Sequence, residues 1–336
     1  MNYHIGAASN QKEINDAMLL ATEIFRGSSN NGFQEKKNIL TQTGSYEIKP
    51  KDVIICKNNG QVIGACFIVF REIYNHRKIV RGAFLASICV AKNYQGRGIS
   101  KKILDHAFEV LRSNKCEIAV VIARKTVDFY YNKFDFLGIS TYTKLKILKL
   151  NQKCYVDLDE YELIKSDETN IEAISEIYHN IYKEFMGPCV RSYSYWKHLY
   201  ERIKKEPSTK LLAVKNNSNL LGYVIISDET VYEIAMIQNR SYIPIIKQLQ
   251  IVNGLNLVYH IPSYHPLLRE LVYSDFEITK RQCFYGGHLI KLIGSNLKSS
   301  EIQEKVNEVL NFLYNRRDNI SKLNDFNFDI LFYDQI

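Results

Sequence analysis

The sequence predicts a mixed α/β protein made of two tandem copies of one plan, the second degenerate. Three observations lead there. Strand-length apolar runs alternate with stripes of helical period. The alternation pauses at the polar stretch Asn151-Gln152-Lys153 and then restarts in a similar order. The length of 336 residues suits two domains better than one.

The elements follow in chain order. Tyr3 to Ala8 reads as a strand, and Lys12 to Phe25 as a helix with Ile14, Met18, Leu19, Ala21 and Ile24 on one stripe. Gly27 to Gly32 has the chemistry of a loop. Asn58-Asn59-Gly60 separates Val53-Ile54-Ile55-Cys56 from Val62 to Phe70, a strong hairpin signal. After the polar turn Tyr74 to Lys78 a long strand runs from about Ile79 to Ala91. Ser100 to Leu111 is helical, burying Ile103, Leu104, Ala107, Phe108 and Leu111. Glu117 to Ala123 is almost wholly apolar and so predicts a central strand. Thr126 to Phe134 suits a short helix, and Leu145 to Leu150 a strand that closes the first half. In the second half, helices are expected over 170–185, 195–204 and 243–251. Strands are expected over 211–215, 220–227, 231–235, 255–260 and 288–292, with a hairpin turn at Asn216-Asn217-Ser218-Asn219. The resulting division is 1–150, 151–296 and a charged, then apolar, tail over 297–336.

Composition narrows the function classes. With 46% hydrophobic and 24% charged residues the chain is of ordinary globular type, which excludes disordered, collagen-like and coiled-coil classes. The longest apolar runs, Val62 to Phe70 and Phe84 to Ala91, fall well short of the roughly 20 residues that cross a bilayer. Met1-Asn2-Tyr3-His4 opens no signal-peptide pattern, so a cytoplasmic protein without a membrane partner is expected. Lys plus Arg is 44 against 36 Asp plus Glu, a net +8 that suits anionic small ligands as readily as nucleic acid. No recognition module accompanies that charge, so no nucleic-acid partner is expected. The cysteines, Cys56, Cys66, Cys89, Cys116, Cys154, Cys189 and Cys283, show neither a C-x-x-C pair nor ligand spacing to a histidine. They are expected to be small buried hydrophobes in a reducing compartment, and no metal is expected.

The segment that carries chemistry is Phe84-Leu85-Ala86-Ser87-Ile88-Cys89-Val90-Ala91-Lys92-Asn93-Tyr94-Gln95-Gly96-Arg97-Gly98-Ile99-Ser100-Lys101-Lys102. An apolar strand enters a turn with two glycines, and the turn opens an amphipathic helix. Backbone N–H groups of such a turn converge with the positive end of the helix dipole, which makes an anion cradle. Gly96 and Gly98 let oxygen atoms approach the backbone, and Lys101 and Lys102 add positive charge. A lone G-x-G turn can equally be a helix cap. The dinucleotide-binding and P-loop variants fit poorly, because the third glycine and the Lys-Ser or Lys-Thr pair are missing.

This segment resembles the GNAT superfamily of acetyl-CoA-dependent N-acetyltransferases. The family signature, Gln/Arg-x-x-Gly-x-Gly/Ala, reads here Gln95-Gly96-Arg97-Gly98-Ile99-Ser100, with serine in the last small position. The resemblance implies two tandem GNAT-like acyl-CoA N-acyltransferase domains and acetyl-CoA as acyl donor. It also implies that backbone N–H groups from Gln95 through Gly96, Arg97, Gly98 and Ile99 to Ser100 hold the CoA pyrophosphate beside Lys101. The strand end Ile88-Cys89-Val90 then pairs with the pantetheine arm. Phe129-Tyr130-Tyr131-Asn132-Lys133-Phe134-Asp135-Phe136 is similar to the family's F-Y-x-x-x-G-F ending, with Asp135 in place of glycine. That likeness implies Tyr131 as the acid that protonates the departing thiolate, with Tyr130 as its competitor for the role.

Charge accounting sets the rest. The amine must lose a proton, the oxyanion must be held and the thiolate must gain a proton. Backbone N–H near Val90 suits the oxyanion. The base stays open between Glu72, His76, the chain-terminal carboxylate of Ile336 and water.

Arg191-Ser192-Tyr193-Ser194-Tyr195-Trp196, Gly222-Tyr223-Val224 and Val231-Tyr232-Glu233-Ile234 are similar to the middle domain of Eis-type (enhanced intracellular survival) acetyltransferases. Gln238-Asn239-Arg240-Ser241-Tyr242 holds no glycine, so a second donor site is not expected there. That half is expected to wall an acceptor pocket, with Trp196 either on the wall or in the core. The resulting expectation is an N-acetyltransferase acting on a small-molecule primary amine. The rivals are a peptide N-acetyltransferase and a non-catalytic acetyl-CoA-binding module.

Overall fold

The computed structural model describes residues 3–26, 48–123, 128–138, 141–149, 161–253, 257–262, 265–272, 276–284 and 288–293. The loop expected over 27–32, Ile336 and the tail lie outside them. Two seven-stranded mixed sheets dominate.

The first sheet contains β1 (His4–Ala7), β2 (Val53–Asn58), β3 (Gln61–Asn75), β4 (Lys78–Val90) and β5 (Ile118–Ile122). Asn59 and Gly60, with φ of 49° and 80°, form the two-residue turn between β2 and β3. His76 and Arg77, at 47° and 69°, turn β3 into β4. β4 runs parallel to β5 only over Gly82↔Ile118, Ala83↔Ala119 and Phe84↔Val120. The Gln11–Arg26 helix covers one face with Ile14, Ala17, Met18 and Ala21. Leu19, expected on that stripe, is half exposed. The Ile99–Ser113 helix covers the other face, burying Ile103, Leu104, Ala107, Phe108 and Leu111 as its period predicts.

The second sheet contains β6 (Thr141–Lys149), β7 (Glu162–Lys165), β9 (Thr209–Asn216), β10 (Asn219–Ser227), β11 (Thr230–Met236), β12 (Val258–Ile261) and β13 (Glu277–Phe284). The Ile171–Tyr182 and Tyr193–Lys205 helices pack on it with Tyr178, Trp196 and Tyr223, and the Ile243–Asn253 and Pro266–Val272 helices with Ile246, Leu249 and Leu267.

The sheets trade strands across the expected boundary near 151. β6, expected to close the first half, instead pairs with β12 and β13 and buries Leu145 and Ile147 in the second core. In its place β14 (His288–Leu292), expected in the second half, pairs antiparallel with β5. A short strand, β8 (Met186–Cys189), also joins the first sheet through β3. Alternating hydrophobicity specifies that a segment is a strand, but either sheet edge satisfies its backbone groups, so periodicity cannot choose the partner.

Cys56, Cys66, Cys89, Cys116 and Cys189 are buried free thiols. Among the described residues no helix is long and apolar enough to cross a membrane, and no group of three or more His, Cys, Asp or Glu is placed to hold a metal ion.

Candidate active site

The site starts with an irregularity in β4. Across the β3–β4 ladder Phe67 faces Ala86 and Ala65 faces Cys89, so Ser87 and Ile88 together oppose Cys66, a β-bulge. Ser87 has φ of 55°. From Leu85 onward no strand among the described residues pairs with the other edge of β4. Ala86, Ser87 and Ile88 are correspondingly half-buried in a strand whose neighbours, Leu85, Cys89 and Val90, are buried. The sheet therefore opens between β4 and β5 at the bulge.

β4 ends in the turn. Lys92–Tyr94 forms one 3₁₀ turn, and Gln95 Nε2 donates to the Val90 carbonyl at 3.0 Å, tying the turn to the strand. Gly96 and Gly98 have φ of 75° and 72°, and a Cβ built on either meets nothing within 4 Å. Gly98 is the N-cap of the Ile99–Ser113 helix and no side chain caps that end. The exposed turn thus leaves both the space and the unpaired N–H groups that a diphosphate needs. Arg97 donates to the Asn93 carbonyl at 2.9 Å and to the Tyr3 hydroxyl at 3.3 Å, with its guanidinium 5.3 Å from the Tyr94 ring centre. Lys101 pairs with Asp105 at 2.9 Å on the exposed face. Ile99 is buried beneath the turn.

The two tyrosines separate cleanly. Tyr130 and Ser100 share a hydroxyl–hydroxyl bond of 2.8 Å, which ties the Asp128–Asn132 helix to the first turn of the Ile99–Ser113 helix. The Tyr131 hydroxyl has no hydrogen-bond partner among the described residues. Burial, with smaller contributions from the thiols of Cys66 and Cys89 and from Tyr130, pushes its phenol well above the ordinary range, so it stays protonated. Tyr131 packs in the same core cluster as Cys66, Leu85 and Val90, the residues on either side of the bulge and opposite it. Asp135 has φ of 62°, so the left-handed turn usual for glycine is kept. Asp tolerates that region, and its carboxylate pairs with Lys291 of β14 at 3.2 Å.

A cleft of about 540 Å³ lies where β3 and β4 meet the second half. Phe70, Arg71, Glu72, Ile79 and Arg81 line one side, and His179, Val190, Arg191, Ser192 and Tyr195 the other. Glu72 lies opposite Arg81 in the ladder. Arg81 and Ser87 are six steps apart along β4, roughly 20 Å at about 3.3 Å each. His76 sits in the β3–β4 turn, its Nδ1 against the Glu184 carbonyl at 3.2 Å, and does not line the cleft. Neither side chain touches the opening. Trp196 is fully buried against Tyr178 and Tyr223, a core anchor rather than a wall.

Sequence reasoning missed His179. Its Nε2 donates to the Arg191 carbonyl at 2.8 Å and its Nδ1 accepts from the Tyr74 hydroxyl, while burial lowers its pKa and keeps it neutral. Its partners are 12 and 105 positions away, and no local pattern marks that. It also missed the buried pair of Arg191 with Glu233, two bonds of 2.8 Å, with Tyr223 donating to the same carboxylate at 2.8 Å.

Residues 8–137 match the acetyltransferase (GNAT) domain family. Among solved structures the chain is similar to Eis1 from Mycobacterium abscessus, at 13% identity and a TM-score of 0.63, over 87% of this chain and 74% of that one. A protein of unknown function from Enterococcus faecalis V583, described as a probable N-acyltransferase, gives 12% identity and a TM-score of 0.68 over 87% and 73%. A GCN5-related N-acetyltransferase from Anabaena variabilis gives 14% and 0.64 over 87% and 73%. At these identities the likeness is one of fold. No curated protein matches in sequence.

Proposed function

On the premise that the chain carries a GNAT acetyltransferase domain over residues 8–137, in a fold resembling the Eis type, we propose that it is an acetyl-CoA-dependent N-acetyltransferase acting on a small primary amine. The observation that carries this reading is the uncapped helix end at Gly98, with Gly96 and Gly98 both in the left-handed region and open space in front of them. Gly96 to Ser100 hold the diphosphate of the acyl donor through backbone N–H groups, with Lys101 adding charge, whereas Gln95, whose own N–H donates to the Lys92 carbonyl at 3.3 Å, fixes the turn through its side chain. Ile88, Cys89 and Val90 offer the open edge of β4 to its pantetheine arm. Acetyl-CoA supplies the acyl group as a thioester.

The amine nitrogen attacks the acyl carbon directly, forming the C–N bond as the C–S bond breaks. The nitrogen loses its proton to water, the sulfur receives one from the Tyr131 hydroxyl, and Tyr131 regains a proton from water, so that no net proton is gained or lost. An acyl-cysteine route is disfavoured because burial pushes the Cys66 thiol far above its ordinary pKa and that of Cys116 up to about 11. Residues 1–150 supply the donor site and one wall of the acceptor cleft, residues 151–296 supply the other wall, and two-sided walls suit a small acceptor better than an open peptide groove. Glu72 takes up the amine proton only through water, given its distance from the opening.

The test is a thiol-release screen of amines with acetyl-CoA. Tyr131→Phe is expected to lower kcat by about 100-fold, with CoA affinity unchanged. CoA binding without turnover on any amine, and with Tyr131→Phe silent, overturns the catalytic reading in favour of a binding module.

A further inference from the structure

Three features coincide at Ser87. It is one of two residues that face Cys66 across the bulge. It is a non-glycine residue with φ of 55°, a conformation that disfavours any residue with a Cβ. Its Oγ is buried and has no hydrogen-bond partner among the described residues. Leaving a buried hydroxyl unpaired adds a second cost, the desolvation of a group that gains no partner. Glycine would remove both costs without changing the bulge. Two local costs on one small residue, at the point where β4 parts from β5, are the pattern of a residue kept for what it does to a ligand rather than for stability.

We infer that the Ser87 hydroxyl is a donor to the acyl oxygen of the thioester at the opening of the sheet, complementing the backbone N–H groups of the bulge. The side chain has a single torsion before its oxygen, so a rotation about χ1 carries the hydroxyl from its buried position to the opening without any backbone movement. Oxygen is the atom that needs a donor there, because negative charge gathers on it as the amine adds and leaves it when the C–S bond breaks. The hydroxyl keeps its own proton throughout. This role is distinct from that of Tyr131, whose proton goes to sulfur. It rests on the acetyltransferase reading above.

The experiment pairs Ser87→Ala, which removes the hydroxyl and keeps the backbone cost, with Ser87→Gly, which removes both. Calorimetry compares acetyl-CoA with CoA for each protein, thermal melting reports stability, and turnover is measured on an amine found in the screen. The expected result is that both variants bind CoA like the wild type and lose the preference for acetyl-CoA over CoA. Both are expected to lose about 10- to 100-fold in kcat, while Ser87→Gly melts higher than Ser87→Ala. A purely structural serine predicts instead that kcat follows stability, with Ser87→Gly as active as the wild type. That result, or an unchanged acetyl-CoA preference in both variants, overturns the inference and leaves the acetyltransferase reading standing. Failure of the wild-type protein itself to bind CoA overturns that underlying reading.

Discussion

Each half of the molecule runs a strand into a turn and the turn into a helix, and the two versions treat the helix N-terminus in opposite ways. In the first half the turn after β4 leaves the end of the Ile99–Ser113 helix uncapped, with open space at Gly96 and Gly98. In the second, β11 leads through Asn239, with φ of 65°, to the Ile243–Asn253 helix, and a carboxylate already sits at the helix end. Glu270 accepts from Tyr242 N at 2.8 Å and from the Ser241 hydroxyl, which in turn accepts from Ile243 N at 3.1 Å. The parallel pairing in each half is short and ends well before the turn, three residue pairs for β4 with β5 and two for β11 with β12. On the reading proposed above, what separates a ligand site from a structural joint is whether the protein supplies its own anion.

The sharpest way to break this comparison is to give the first turn an anion too. Gly98→Glu puts a carboxylate and a Cβ into the cradle. CoA affinity is expected to fall about a thousandfold, ~4 kcal/mol, by calorimetry. Full affinity would remove the turn from the donor site.

Acid should weaken the second half specifically. His265 is fully buried, donating from Nε2 to the Ile234 carbonyl at 2.8 Å and accepting at Nδ1 from Leu267 N at 3.2 Å. Burial lowers its pKa to about 4. The unfolded chain binds the proton near pH 6.5 and the folded one only near 4, so stability is full above 6.5 and falls as the pH drops toward 4. The loss is about 3 kcal/mol at most. Denaturant melts at pH 7 and pH 4.5 should show this slope in the wild type and a shallower one in His265→Gln.

Glu270→Gln weakens the internal cap and should cost about 1–2 kcal/mol in the same melts, with no second equivalent of CoA bound. A second equivalent would mean that the plug alone silences the second turn. Smallest of all, Asp135→Gly relieves a left-handed residue but loses the exposed pair with Lys291, so a gain of about 0.5 kcal/mol or less is expected.

Much of this was legible in the sequence where the signal is local. Asn59-Gly60 specified its hairpin, the 3.6-residue period of Ser100 to Leu111 specified the buried face, and two glycines after an apolar strand marked the cradle. What stayed hidden depends on partners far along the chain. Tyr130 and Tyr131 are adjacent and chemically alike, and although the motif likeness favours Tyr131, the bond that ties up Tyr130 comes from the Ser100 hydroxyl, 30 positions back. Glu270 lies 28 positions beyond the helix end it caps. The bulge at Ser87 leaves no mark at all, because serine has no special preference for the conformation it adopts there. Asp135 is an intermediate case: aspartate in a glycine slot puts the turn in question on sequence grounds, and its φ of 62° shows that the turn is kept.

The exchanged strands bear on how the chain is made. As the polypeptide leaves the ribosome, β5 emerges long before β14, its neighbour on the far edge, which is among the last described segments to be synthesised. Until then one edge of the first sheet has open N–H and C=O groups, and the nascent N-terminal half cannot close on itself. The sheet that carries the turn after β4 therefore keeps its β5 edge open until residues 288–292 have been made. A fragment ending near residue 150 would carry every residue of that turn and still expose a bare edge to aggregation.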